Sequence, residues 1–104
     1  MNSIGQADIT AEQSVLGAAL LDANVMDELL HLEERDFSIR KHQDLFKVLR
    51  FLERKNIPID IVSVTETYVK FGRIEEIGGV DYLSKLAESC PSTSNVKYLS
   101  LIHI

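Results

Sequence analysis

Hydrophobic residues recur along most of this chain at the three- and four-residue spacing of an amphipathic helix. The first such segment is predicted over Ala11–Leu21. Thr10-Ala11-Glu12-Gln13 has the form of a capping box, in which Thr10 accepts from the amide three residues on and Gln13 reaches back. The first turn is polar, with Glu12, Gln13 and Ser14. From Val15 onward the segment is apolar on every side, the mark of a buried helix. A short second helix is predicted over Val25–Leu32, with Asn24 as its cap and Asp27 in its first turn. Ser38 is read as the cap of a long third helix ending near Lys55. Leu45, Leu49 and Leu52 line one face of it, with Phe46 and Val48 flanking.

Asn56-Ile57-Pro58-Ile59 breaks the pattern. Asp60 then caps a fourth helix carrying Ile61, Val64 and Tyr68 at helical spacing, and Gly72 closes it in the left-handed conformation. The β-branched run Ile61–Thr65 suits a strand in isolation, but the spacing and the cap favour a helix. Gly78-Gly79 opens a fifth helix, Val80–Glu88, with Val80, Leu83, Leu86 and Ala87 inward. Cys90–Ser94 reads as a loop. Asn95 caps a last helix bearing Val96, Leu99 and Ile102, with Tyr98 and Leu101 beside them. The chain stops inside this helix, so the sequence is expected to be part of a longer protein. The expected fold is all-α: a compact bundle of five to six short helices over residues 1–94, followed over 95–104 by the start of a further helix.

Composition narrows the functions open to such a bundle. The 104 residues suit one domain, and 45% are hydrophobic and 26% charged, as in ordinary globular proteins. The net charge of -5 argues against general nucleic-acid binding, which needs a basic surface. A single cysteine, Cys90, excludes an internal disulfide and fits a cytosolic setting. No apolar stretch reaches the roughly 18 residues of a membrane span.

Gly17 interrupts a helix, where it costs about 1 kcal/mol relative to Ala. A phosphate-cradling turn, a hinge, or the close approach of a second helix would each explain it. A phosphate loop needs G-x-x-x-x-G-K-[ST] after a strand, and this chain has neither a Gly-Lys pair nor a strand before Gly17. With Ala18 and Ala19 also small, Gly17 is expected to mark a flat spot where another helix crosses. The histidines His31, His42 and His103 lack zinc-site spacing and read as three unrelated surface or half-buried imidazoles. Cys90 reads as a small buried thiol; a Cys–His nucleophilic pair is the alternative. Glu33-Glu34 and Glu75-Glu76 read as solvated surface rather than acid–base pairs. No catalytic, metal or cofactor site is expected.

Candidate interface residues lie elsewhere. Arg40, Lys47 and Arg54 repeat every seventh residue and share one helix face. Arg50 flanks this stripe, and Phe51 points the same way. The stripe is either a solvated basic face with Phe51 covered by a neighbouring segment, or a contact face for an acidic partner with Phe51 as its anchor. DNA contact is a weaker variant of the second reading. Tyr98, Leu101 and Ile102 either pack back on the domain or await a partner helix.

Taken in order, the motifs carry a resemblance. AEQSVLGAALLD (11–22), DFSIRKHQDLFKVLRFLERKNIPIDIVSV (36–64) and GGVDYLSKLAESCPSTSN (78–95) resemble the N-terminal domain of the DnaB family of bacterial and phage replicative DNA helicases. The family pattern has E-x-x-[LV]-L-G, an aromatic after Asp, a His ahead of an Ile/Leu-Phe pair, P-[IV]-D, G-G-x-x-Y-L and P-[ST]-x-x-N. The resemblance covers nearly the whole chain, and the order and spacing of the motifs give it its specificity.

The resemblance implies a helical domain followed by a helical hairpin, of which residues 95–104 are the start. It implies a ring-shaped hexameric parent that unwinds DNA, with ATP and Mg bound by a separate RecA-like motor. This chain would be the collar, in contact with other helicase subunits, primase and a helicase loader in the bacterial cytosol. The truncated chain itself is expected to be monomeric or weakly associating, without DNA contact or membrane association. The alternatives are the helicase-binding C-terminal domain of a primase and a free-standing helical interaction module.

Overall fold

The computed structural model describes residues 4–89, with side chains from residue 9 onward. Helix α1 spans Ile4–Leu21, α2 Val25–Leu29, α3 Arg40–Arg54, α4 Ile61–Lys70, α5 Ile74–Ile77 and α6 Gly79–Glu88, with a 3-10 turn at Glu34–Asp36. No strand occurs among the described residues, and the all-α expectation holds. Asn95 and the last helix with Tyr98, Leu101 and Ile102, together with Cys90 and His103, lie outside the described residues.

Helix α1 is the centre of the core. Val15, Leu16, Ala18 and Ala19 have no solvent exposure, so the all-round apolar segment is buried through Leu20 as its pattern predicts, while Leu21, its last residue, is 56% exposed. Gly17 is the crossing point with α6. A Cβ there would fall on the Leu86 carbonyl, 2.6 Å from its carbon and 3.3 Å from the Ala87 amide nitrogen. The flat spot is real, and backbone fills it.

Leu45, Phe46, Leu49 and Leu52 form the buried face of α3, Val64 and Tyr68 that of α4, and Leu83 and Leu86 that of α6. The Phe37 and Phe46 rings meet at 4.9 Å between centroids. Burying these apolar faces on a common core is the main force holding the helices together.

Two helix ends follow their sequence signals. Asp60 accepts from the Ser63 amide at 2.7 Å, and the Asp60 amide donates back to Ser63 Oγ at 3.1 Å. This reciprocal cap fixes the start of α4 and settles the strand-or-helix choice for the β-branched run. At the other end Gly72 has φ +68°. Its amide donates to the Val69 carbonyl at 2.9 Å and that of Arg73 to the Tyr68 carbonyl at 2.8 Å, a Schellman motif.

Several expectations are corrected. Helix α1 begins at Ile4, before Thr10, so Thr10 is an exposed mid-helix residue and the capping box is absent. Gln13 instead donates to the Tyr82 hydroxyl. Asn24 makes no side-chain cap; its amide donates to Asp22 Oδ1, and α2 stops at Leu29 rather than Leu32. Ser38 does not cap α3, whose N-cap is Ile39, because the Ser38 amide is drawn to Glu12 Oε2 at 2.7 Å. Val80, in the first turn of α6, is 46% exposed rather than inward, and the buried face of that helix is carried by Leu83 and Leu86. The short helix α5, which buries Ile77, has no counterpart in the sequence reading.

Candidate interaction site

The largest correction concerns histidine. His42 is not a surface or half-buried imidazole but fully enclosed, as is Glu12. His42 Nδ1 lies 2.7 Å from Glu12 Oε1, and Nε2 lies 2.7 Å from the Tyr82 hydroxyl. Gln13 Nε2 approaches the same hydroxyl at 3.4 Å. One proton assignment satisfies every group. Gln13 donates to the Tyr82 oxygen, Tyr82 donates to Nε2 of a neutral His42, and Nδ1–H donates to the Glu12 carboxylate. The Ser38 amide occupies the second carboxylate oxygen. Lys41 Nζ covers the outer face of the Tyr82 ring at 3.7 Å.

The order carboxylate, imidazole, hydroxyl is that of nucleophile activation. Here the hydroxyl is held by Gln13 and His42, and the chain of bonds fastens α1, α3 and α6 together. Glu12 looked like first-turn polarity because the residues that bury it lie far along the chain. The signal for it was a His ahead of the Leu45-Phe46 pair, on the apolar side of α3.

The stripe on α3 is where the sequence places it, but it is not uniformly basic. Arg40, Lys47 and Arg54 are exposed. Asp44 interrupts them one turn after Arg40, and Glu34 Oε1 lies 3.9 Å from Lys47 Nζ. Arg50 turns aside: it donates to the Leu32 carbonyl at 3.3 Å and lies over the Phe46 ring at 5.6 Å. It thereby walls an open groove of about 460 Å³ with the Leu30–Arg35 segment. Phe51 is 39% exposed, with Lys55 Nζ 5.8 Å from its ring. Glu33, Glu34, Glu75 and Glu76 are exposed, as expected.

A smaller cleft, of about 100 Å³, opens between α3 and the end of α4. Asp44, Lys47 and Val48 form one wall; Thr67, Tyr68, Phe71 and Arg73 form the other. The Schellman turn builds the second wall. It leaves Phe71 60% exposed and folds Arg73 back, 3.8 Å from Asp44 and 2.7 Å from Glu76. Tyr68 is buried, yet its hydroxyl has no hydrogen-bond partner. Burial, then the nearby Asp44 carboxylate, push the phenol far above its usual range, so it remains a donor. The Arg73 hydrogen bond holds the Glu76 carboxyl below its usual range. Tyr68 was legible in the sequence only as a core residue, since helical spacing marks which face is inward and not whether a polar tip is satisfied. Among the described residues no group of three or more metal-ligating side chains converges, and no helix is long and apolar enough to cross a membrane.

The fold and cleft define a small all-α domain with a tightly fastened core and a partly apolar surface notch. The family described as the DnaB-like helicase N terminal domain matches residues 5–102, and the chain belongs to it. The chain is similar to the Replicative DNA helicase DnaB of Geobacillus stearothermophilus, 40% identical over 97 residues, covering 90% of this chain and 21% of that protein. It is also similar to the Replicative DNA helicase DnaB of Buchnera aphidicola subsp. Baizongia pistaciae, 36% identical over 89 residues, covering 85% and 19%. The crystal structure of the N-terminal domain of DnaB helicase from Mycobacterium tuberculosis superposes with a TM-score of 0.86 at 33% identity. That match covers 90% of this chain and 68% of the other. The chain thus spans about a fifth of the length of the curated relatives it matches.

Proposed function

We propose that this domain is the N-terminal collar of a ring-shaped hexameric replicative DNA helicase, serving ring assembly and the docking of primase and a helicase loader. The observation that carries the reading is the family match over residues 5–102 of the chain, against about a fifth of the length of full helicases. ATP and Mg would be bound by the motor of the parent protein, and DNA would be unwound there. The net charge of -5 favours protein contacts over phosphate contacts for the collar itself. The parent would act in the bacterial cytosol, and the 104-residue chain alone would be monomeric or weakly associating.

Deleting residues 1–104 from the parent helicase tests this. The expected result is a protein that retains nucleotide hydrolysis but loses stable hexamers in sedimentation and loses primase binding. A deletion variant that assembles and binds primase like the intact helicase would overturn the proposal.

A further inference from the structure

Basic charge is concentrated on one helix of an acidic chain. Residues 40–55 hold six of the eleven Lys and Arg but only two of the sixteen Asp and Glu, so α3 is positive in a chain of net charge -5. Lys47, Phe51, Arg54 and Lys55 are exposed and follow one another at helical spacing on the outward face of α3. The described segments leave Phe51 39% exposed. The end of the helix adds a second apolar residue. Asn56 adopts φ +60°, a left-handed geometry that Asn tolerates. Its amide donates to the Glu53 carbonyl at 3.1 Å and that of Ile57 to the Leu52 carbonyl at 2.9 Å. This Schellman turn brings Ile57 back level with Leu52, so that Ile57, 40% exposed, stands at the same end of the helix as Phe51. The cations are loosely held. Lys47 and Glu34 are each about half exposed and 3.9 Å apart, and such surface pairs contribute little. Among the described residues no ion pair involves Arg54 or Lys55.

We propose that this face docks an acidic helical segment of a partner protein. The segment sets one aliphatic side chain against Phe51 and Ile57, and carboxylates against Lys47 at one end and Arg54 and Lys55 at the other. The spacing defines the partner's pattern. Lys47 and Arg54 are two turns apart, about 10 Å along α3 at 1.5 Å per residue. A helix laid along α3 matches them with two carboxylates two turns apart and one Leu or Ile between. The half-exposed aromatic supplies the anchor, and the cations steer and orient the segment. Nucleic acid fits this face less well. Its phosphates are closely spaced along its whole length, and the Glu34 and Asp44 carboxylates interrupt the cations. The discrete carboxylates of a peptide avoid both. The proposal rests on reading this domain as a docking surface, and names one face of it and the chemistry of the segment that seats there.

The test titrates the isotope-labelled 104-residue chain with an Ala-based peptide of about 20 residues, long enough to be helical alone. The peptide carries one Leu, with Glu four residues before it and three and four residues after it. Amide chemical shifts are followed at low salt. The expected result is saturable shifts confined to residues 47–57, with affinity falling as salt is added. Replacing the three Glu by Gln, or the Leu by Ala, should each weaken binding about fivefold or more. Arg54→Glu turns an attraction into a repulsion at an exposed position and should weaken it about five- to tenfold. Phe51→Ser should abolish it; if that variant loses the native spectrum, the peptide without Leu reads the same contact on the intact chain. Absent or scattered shifts would overturn the proposal. So would equal affinity for the Gln peptide, for the peptide without Leu, or in Arg54→Glu. An oligothymidylate that binds the same residues as tightly as the Glu peptide would also overturn it, and would make the face a nucleic-acid surface. The probe is not a replication protein, so a negative titration removes this face and leaves the collar reading to stand or fall on the deletion experiment.

Discussion

Replacing Gly17 with alanine sets two effects of opposite sign against each other, and the structure decides between them. On helix propensity alone, Gly17→Ala in the interior of α1 should stabilise the chain by about 0.8–1 kcal/mol. The added methyl, however, lands on the Leu86 carbonyl and 3.3 Å from the Ala87 nitrogen. Both are backbone atoms of α6, so no side-chain rotation relieves the overlap. The two helices must separate, and α6 carries the buried Leu83, Leu86 and the Tyr82 hydroxyl bonded to His42. Overpacking of this kind costs about 1–3 kcal/mol or more. Because the overlap is with backbone the upper end of that cost applies, and with the propensity gain subtracted the net loss should be about 2 kcal/mol or more. In a domain of this size each 1 kcal/mol corresponds to about 4–8 °C in Tm. Urea unfolding followed by circular dichroism would read it as a lower midpoint at unchanged slope. Gly17→Leu should fall further in the same direction. A Gly17→Ala midpoint equal to or above that of the native chain would show that α6 does not bear on Gly17, and the close-crossing argument would fail.

Removing His42 strands a buried carboxylate. His42→Leu should cost several kcal/mol in the same assay, because the buried Glu12 carboxylate and the Tyr82 hydroxyl each lose their hydrogen-bond partner, and Glu12→Leu combined with His42→Leu should recover part of that loss. A double variant no better than the single one would show that the His42 bond does not hold Glu12 in the fold. Tyr68→Phe discards a hydroxyl that has no partner, so thermal melts should show unchanged or slightly raised stability; a loss above about 1 kcal/mol would reveal a bond to that hydroxyl. Asp60→Ala removes the α4 cap and should cost about 1 kcal/mol in chemical denaturation, with Asp60→Asn largely rescuing it. Glu76 has its pKa lowered from 4.5 by Arg73. It therefore adds stability above pH 4.5 that is lost as pH falls through the lower folded value, a small effect because both groups are exposed. Glu76→Gln should flatten that limb of stability against pH, and an unchanged profile would count against the pair.

What the sequence made legible follows from what is local. The Asp60 cap, the Gly72 terminus and the leucine face of α3 are decided within one or two turns, and each stands where its residues predict. The P-[IV]-D and G-G-x-x-Y-L motifs named the family for the same reason, because they are short and ordered. Residues 12, 38, 42 and 82 are individually unremarkable polar positions that acquire meaning only when three helices meet. Ser38 has the chemistry of a helix cap, but a buried carboxylate 26 positions away takes its amide instead. Lys47 reads as part of a basic stripe and Tyr68 as core, and nothing in the sequence joins them to Asp44. The cleft between them exists because a left-handed turn at Gly72 returns Arg73 toward α3, a geometry that helical periodicity does not contain.

The Glu12–His42–Tyr82 clasp also bears on the order in which the chain can complete its fold. Gln13 and Tyr82 lie 69 positions apart, and His42 and Tyr82 40 apart, so closing these bonds requires long loops to be ordered first. During synthesis α1 leaves the ribosome with Val15, Leu16 and the Gly17 surface uncovered, and no segment that fits that surface exists until Leu86 has been made. Until then the most apolar helix of the domain is open to water and to other chains. The interval between translating α1 and translating α6 is therefore the period in which the Gly17 surface of α1 lacks its native cover.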